Sequence, residues 1–233
     1  MANGTSGTKS TGGGNASTAA PINNLPLKGD LDPGVVGNLL SDLYPHASSY
    51  QEAKTNWIKD HTDVDEGNAS KTAAAIGHFT GSESGDIRHA QKNGDTTSSY
   101  GKDGVLLEDY ITKAPQWDNS RDLHRGMDLS PDTVKGILDG IKSGKNYDIN
   151  YGGSASWSTK YAVSEGFAGG YGGKVPVIFR TKKMTKATPI GHITSIKGEH
   201  EVLSSKDNMF KPIKATKKKI NGKDGYLIDV EQI

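Results

Sequence analysis

The chain has no cysteine, which excludes disulfides, thiolate metal sites and a cysteine nucleophile. It has no apolar run approaching the roughly 20 residues a membrane helix needs. Its first residues carry neither a basic n-region nor an apolar h-region, so the sequence predicts no conventional signal peptide and no membrane span. Apolar residues are sparse, 33% of 233, and the mean hydropathy is −0.62. Net charge is nearly absent too, at +1, which removes a general pull toward nucleic acid or anionic lipid. Finally, Met1 to Pro26 holds no acidic residue and is built from Gly, Ser, Thr, Asn and Ala. Such a segment cannot bury enough surface to offset its ordering entropy, so residues 1–27 read as a flexible low-complexity tail.

Glycine, at 30 residues, exceeds its average usage of about 7%, which assigns much of the chain to loops. Charge is unevenly placed. Gly29 to Asp109 holds fourteen acids against six bases, whereas Lys206 to Ile233 holds seven lysines against four acids. The run Lys217-Lys218-Lys219 reads as a solvated strand edge.

The remainder, 28–233, reads as one domain with a helical part over about 31–115 and a β-core over about 120–233. Val35, Val36, Leu39, Leu40 and Leu43 share a helical face that Pro45 ends. Further helices are predicted over Tyr50 to Lys59, over Lys71 to Phe79 with Asn68 or Ser70 as cap and Gly81 as stop, and over Ile87 to Lys92 behind Gly85-Asp86. Short β-type runs follow: Leu123 to Met127, Ser154 to Thr159, Val175 to Arg180, Pro189 to Ile193, His200 to Ser204 and Tyr226 to Val230. Two helices interrupt them, one opened by Ser130-Pro131 and one over Ala162 to Phe167. Helices first and strands later predict an α+β fold.

Four features bear on chemistry. In Gly198-Glu199-His200-Glu201-Val202-Leu203, a strand would turn Glu199 and Glu201 to one face and His200 to the other. Paired carboxylates suit work on a sugar carbon or a cation, although taken alone the pair also describes a wet strand end. Arg125 interrupts an apolar strand and is followed by Gly126, which admits a ligand or a backbone at close range; its planar fork suits phosphate or carboxylate. Ser154, Ser156 and Ser158 alternate along a presumed strand and can hydrogen-bond a carboxylate. Gly169-Gly170-Tyr171-Gly172-Gly173 lacks the Lys-Ser/Thr and helix of a phosphate cradle and reads as a mobile loop.

In order, these make an arginine strand, a Ser-Thr strand leading into a helix with Phe167, and a Glu-x-Glu strand. The order and spacing resemble the arginine-specific mono-ADP-ribosyltransferases of the R-S-E class. Leu123 to Met127, Ser156 to Phe167 and Thr188 to Leu203 carry the likeness. Phe79-Thr80-Gly81 with Asp86-Ile87-Arg88 resembles the family's aromatic-Thr-Gly helical element more weakly. Lys160 stands where the family usually has the third residue of Ser-Thr-Ser, and Phe79 where it usually has tyrosine.

The resemblance implies an ADP-ribosyltransferase-like fold with a two-sheet, mostly antiparallel β-core, and NAD as substrate with no metal. It implies Glu201, Glu199 and Ser158 as catalytic residues. Glu201 would stabilise the positively charged ribose, Glu199 hold or deprotonate the incoming guanidinium, and Ser158 hold Glu201. Arg125 would bind the phosphates, with Gly126, Ser158, Thr159 and Phe167 at the cofactor, and Thr194 to Gly198 would form the acceptor loop. The partner is then a target protein with an accessible arginine, with no membrane or nucleic acid. An immunity protein or a virion component are further partners the resemblance admits, since the domain occurs in bacterial toxins and phage proteins; a phage member would reside in the virion or the host cytoplasm. NAD glycohydrolysis and a catalytically silent structural module are the alternatives.

Overall fold

A computed structural model of the chain describes residues 40–194, 196 and 198–233. The predicted tail and the start of the first predicted helix lie outside these residues; 40–43 are helical, with Leu40 buried. Helix α1 spans Tyr50–Thr62, and the Ser49 side chain accepts from the Glu52 N–H at its start. Helix α2, Glu66–Thr80, begins earlier than predicted. Asp65 caps it through Asn68 N–H at 2.8 Å, displacing the Asn68 or Ser70 cap, and Gly81 ends it as expected. Helix α3, Ser84–Lys92, follows Glu83 with no side-chain cap, so Gly85-Asp86 lies inside it. Helix α4, Ser99–Lys113, was not individually predicted; Ser98 caps it.

The β-core comprises β1 (Leu123–Leu129), β2 (Ala155–Ser158), β3 (Val175–Thr181), β4 (Ala187–Pro189), β5 (Glu201–Ser204), β6 (Phe210–Ile220) and β7 (Lys223–Gln232), with α5 (Pro131–Ser143) and α6 (Tyr161–Phe167) between strands. Helix α5 starts at the Ser130-Pro131 signal, Ser130 accepting from Thr133 N–H. Strand β6 is announced in the sequence only by Lys217-Lys218-Lys219, read as a solvated strand edge; its bounds, Phe210–Ile220, are not, because its lysines break the apolar alternation. It is an edge strand paired with β7, and Lys217, Lys218 and Lys219 are exposed on it.

All seven strands join one sheet, ordered β4-β5-β2-β1-β3-β7-β6, in place of the two sheets expected. Among the described residues only β3 and β7 run parallel. The expectation of two halves survives as a seam: β1 pairs with β3 along its whole length but meets β2 only at His124↔Ser158. The predicted strand over Pro189 to Ile193 is strand only to Pro189. Proline cannot donate to a ladder, and beyond it Ile193 and Thr194 N–H both bond Ile190 O in a tight turn.

Three apolar clusters hold these layers. One joins α1, α2 and α4 to Ile190, Ile193 and Leu203. Another fills the space between the sheet and α5, around Trp157, Phe179 and Phe210. A small third cluster sits under α6, with Ile178, Ile220 and Tyr161. No helix among the described residues is long and apolar enough to cross a membrane.

Candidate active site

Where β1 and β2 part, a cleft of about 370 Å³ opens. Its walls come from β1, β2, α6, the end of α2 with Arg88 of α3, and the segment bearing Ile196, Glu199 and Glu201. Three segments that the sequence pattern joined only by order are thus adjacent in space, and the weaker helical element lies on the same cleft.

Glu201 opens β5 opposite Ser158 of β2 and is only 4% exposed, which rules out the wet strand end. Its carboxyl has a pKa raised to about 7, chiefly by burial, with Glu199 adding to the rise and the Ser156 hydroxyl and Arg125 opposing it. Oε2 is buried without a partner among the described residues. Glu199 reaches the cleft by another route than the strand alternation expected. It precedes β5, and a left-handed residue, His200 at φ 47°, separates the two. Burial also raises the pKa of Glu199. His200 is buried outside the cleft lining.

Ser158, which the resemblance assigns to hold Glu201, is registered directly opposite it across the β2–β5 ladder, while the Ser156 hydroxyl lowers the Glu201 pKa. Ser158 Oγ donates to the Glu199 carbonyl at 2.6 Å and accepts from Lys160 N–H at 3.0 Å, so it fixes the backbone that carries Glu199. Both serines face away from the core-packed Trp157, as strand alternation demands; nothing local tells which meets the carboxyl. Thr159 does not line the cleft.

Arg125 is half-buried and donates from Nη1 to Ser156 O at 2.8 Å, while its Nε is buried without a partner among the described residues. Its pKa falls to about 10, first through burial and then through the charge of Arg88. Burial also lowers the pKa of Arg88, which bonds Ser84 Oγ at 3.3 Å. Neither guanidinium has an ion-pair partner among the described residues. Two desolvated cations in one cleft, one with an orphaned N–H, fit a dianionic ligand such as a diphosphate. Arg88 was named in the sequence only within the weaker helical element; its charge role shows once α3 is folded against β1.

Gly126 settles which close approach it serves. A Cβ there would overlap the Ser164 carbonyl oxygen of α6, so it admits a backbone, and α6 seats directly on β1. That seating brings Val163 and Phe167 to the cleft, Phe167 being 61% exposed. The glycine loop, read from sequence as mobile, is tethered at four points. Asp128 accepts from Gly170 and Tyr171 N–H at 2.6 and 3.1 Å, and Lys223 Nζ donates to Gly169 and Gly170 O at 2.8 and 2.9 Å. Of the predicted acceptor loop, Ser195 and Lys197 lie outside the described residues, and Ile196 lines the cleft.

A second cleft, of about 810 Å³, lies between residues 180–185 and the β6–β7 pair. It gathers no buried carboxyl, its buried hydroxyl, Thr181, donates to Lys183 O at 2.9 Å, and its arginine, Arg180, is already paired with Asp229 at 2.7 Å.

No protein-family profile matches the sequence, and no curated relative does. Solved structures do match. Vis toxin, an ADP-ribosyltransferase from Vibrio splendidus, is 16% identical over 85% of this chain and 84% of its own, with a TM-score of 0.56. The ADP-ribosyltransferase HopU1 of Pseudomonas syringae pv. tomato DC3000 is 13% identical over 84% and 87%, at 0.57. Exoenzyme S from Pseudomonas aeruginosa, solved with human 14-3-3 protein beta and carba-NAD, is 16% identical over 83% and 88%, at 0.53. A helical part followed by a β-core split at a seam, together with these matches, gives the chain the ADP-ribosyltransferase fold.

Proposed function

We propose that the chain is an NAD-dependent mono-ADP-ribosyltransferase that modifies arginine side chains of a target protein. The observation that carries this reading is the meeting, at the β1–β2 seam, of two desolvated guanidiniums and one buried carboxyl. Arg125 and Arg88 take the diphosphate of NAD, and Phe167 offers an exposed ring at the rim. Breaking the N-glycosidic bond leaves positive charge on the ribose, and a carboxylate already in place and poorly solvated stabilises it without reorganisation. Glu201 supplies that charge. Glu199, nearer the mouth, receives the acceptor guanidinium. Vis toxin has been solved with agmatine, a small guanidinium compound, which supports a guanidinium acceptor on this fold.

The test is incubation with labelled NAD and candidate proteins. Label on protein at arginine supports the reading; free ADP-ribose alone makes the chain a glycohydrolase, and no turnover makes it a silent module. Two substitutions sharpen it. Glu199→Gln is expected to slow transfer about 10²-fold, the low end for loss of a general base, and to change NAD hydrolysis less than about twofold; equal losses in parallel assays would remove the acceptor role. Arg125→Lys keeps the charge and loses the fork. NAD binding should weaken about 10- to 100-fold, the range for charged hydrogen bonds, as read by calorimetry.

A further inference from the structure

Beneath the turn that leads to Ile196 and Glu199 lies a buried group of aromatic and imidazole rings that the site description does not use. His192, in that turn, is 2% exposed. Its carbonyl accepts from the Tyr50 hydroxyl of α1 at 2.9 Å, and its ring meets Trp57 of α1 edge-on at 4.4 Å. Trp57 in turn stacks on His61 at 3.7 Å. On the other side the turn is tied to the catalytic strand, because Ile190 N–H donates to Glu201 O at 3.0 Å. Ile190 and Ile193 pack into the helical core. A path of direct contacts therefore runs from α1 through His192 to the backbone of Glu201.

The choice of histidine is costly. Both ring nitrogens of His192 are buried without partners among the described residues. His61 Nδ1 faces the Trp57 carbonyl at 2.7 Å and so must donate, leaving Nε2 buried and unpartnered as well. An apolar residue would fill the space of His192 without orphaned polar atoms, so packing alone does not account for it.

We propose that Tyr50, Trp57 and His192 form a brace by which α1 positions the 190–194 turn, and that protonation of His192 releases the brace and the acceptor side of the cleft with it. The inference rests on the transferase reading of that cleft. Three positioning residues are named; none touches the reacting atoms. The titratable groups around the brace are His61, Tyr50 and Lys54 on α1 and Tyr110 of α4, in the same cluster. Burial first, and His61 second, depress the His192 pKa to about 3. A histidine depressed in the braced state and near 6.5 when released favours the braced state fully above pH 6.5. That preference is lost as pH falls from 6.5 toward 3. By linkage, release becomes about 30-fold easier at pH 5 than at neutral pH.

The experiment measures ADP-ribose transfer to agmatine and NAD hydrolysis in parallel between pH 5 and 8, in the wild-type chain and in His192→Leu. Glu201 titrates in both reactions and Glu199 in both proteins, so the transfer-to-hydrolysis ratio compared between proteins isolates the brace. The wild-type ratio should fall at pH 5 by up to about 30-fold more than that of His192→Leu; superimposable profiles overturn the brace. Amide exchange at Ile193 and Thr194 without NAD gives a reading independent of activity. Exchange should quicken below pH 6.5 in the wild type relative to His192→Leu, and Tyr50→Phe, which removes one hydroxyl, should quicken it several-fold at neutral pH. Equal exchange in all three overturns the brace, whereas altered exchange in a chain that turns over no NAD overturns only the transferase reading.

Discussion

Glu201→Gln is expected to lower the rates of NAD hydrolysis and of transfer by about 10³-fold, the upper end for removing one preorganised electrostatic group, while making the protein more stable at pH 8. The two halves have one cause. Glu201 is buried, and its pKa is raised from 4.5 to about 7, first by desolvation. A carboxyl whose folded pKa is raised contributes its stability below the unfolded value. That contribution is lost as pH rises through the folded value. At pH 8 the ionised side chain therefore costs the fold about 3 kcal/mol, as an order of magnitude. Glutamine keeps the shape and removes the charge, so the melting temperature should rise at pH 8 and change little at pH 4. Activity of the wild-type chain should follow the ionised fraction and fall below pH 7. Thermal unfolding at the two pH values, with labelled-NAD kinetics, checks all of this; undiminished turnover in Glu201→Gln would falsify the catalytic assignment. A buried carboxylate that costs its fold stability is the trade expected at an active site.

How much of this was legible depends on whether the signal is local. Ser130-Pro131 marks a helix start in the residues themselves, and α5 begins there. Helix α4 hides because Gly101 and Gly104 dilute its apolar pattern. Their reason is tertiary, since a Cβ at Gly101 would lie 2.6 Å from Asp95 O and one at Gly104 2.7 Å from the Gln91 side chain. Strand β6 holds its place by backbone pairing with β7 along an exposed lysine edge, which no hydrophobic alternation announces. Of the site, Arg125 stands out because a charge breaking an apolar strand is conspicuous, whereas Glu201, which opens its strand, stands out only through its order after the arginine and Ser-Thr strands. The bond from Ser158 to the Glu199 carbonyl was not legible. It follows from the turn at His200, which brings the Glu199 carbonyl to Ser158. The contribution of the N-terminal helices was equally hidden, for it lies in contacts such as Tyr50 to His192, made across 142 positions of sequence.

Gly126→Ala is expected to damage NAD binding without a change at any group that touches NAD by charge. A Cβ at Gly126 would overlap the Ser164 carbonyl oxygen and lie 2.7 Å from the carbonyl carbon. These are backbone atoms, so no side chain can swing aside. One element must yield. Strand β1 is paired with β3 along its full length, whereas α6 has seven residues and no side-chain cap; α6 is the part that moves. It carries Val163, Ser164 and Phe167 on the cleft, and its far end is held by Asn221, which donates to Glu165 O at 2.6 Å. The helix then tilts about that tether and the cleft wall shifts away from Arg125. Overpacking of this kind costs about 1–3 kcal/mol of stability, and NAD affinity should fall about 10²-fold, the loss that follows a misplacement of about 1 Å. Gly166→Ala on the same helix is the control. Its Cβ would meet nothing within 4 Å, so affinity should hold and stability rise by up to about 1 kcal/mol from helix propensity. Should Gly126→Ala bind NAD as the unmutated chain does, α6 is no wall of the NAD site, and Phe167 loses its role there too.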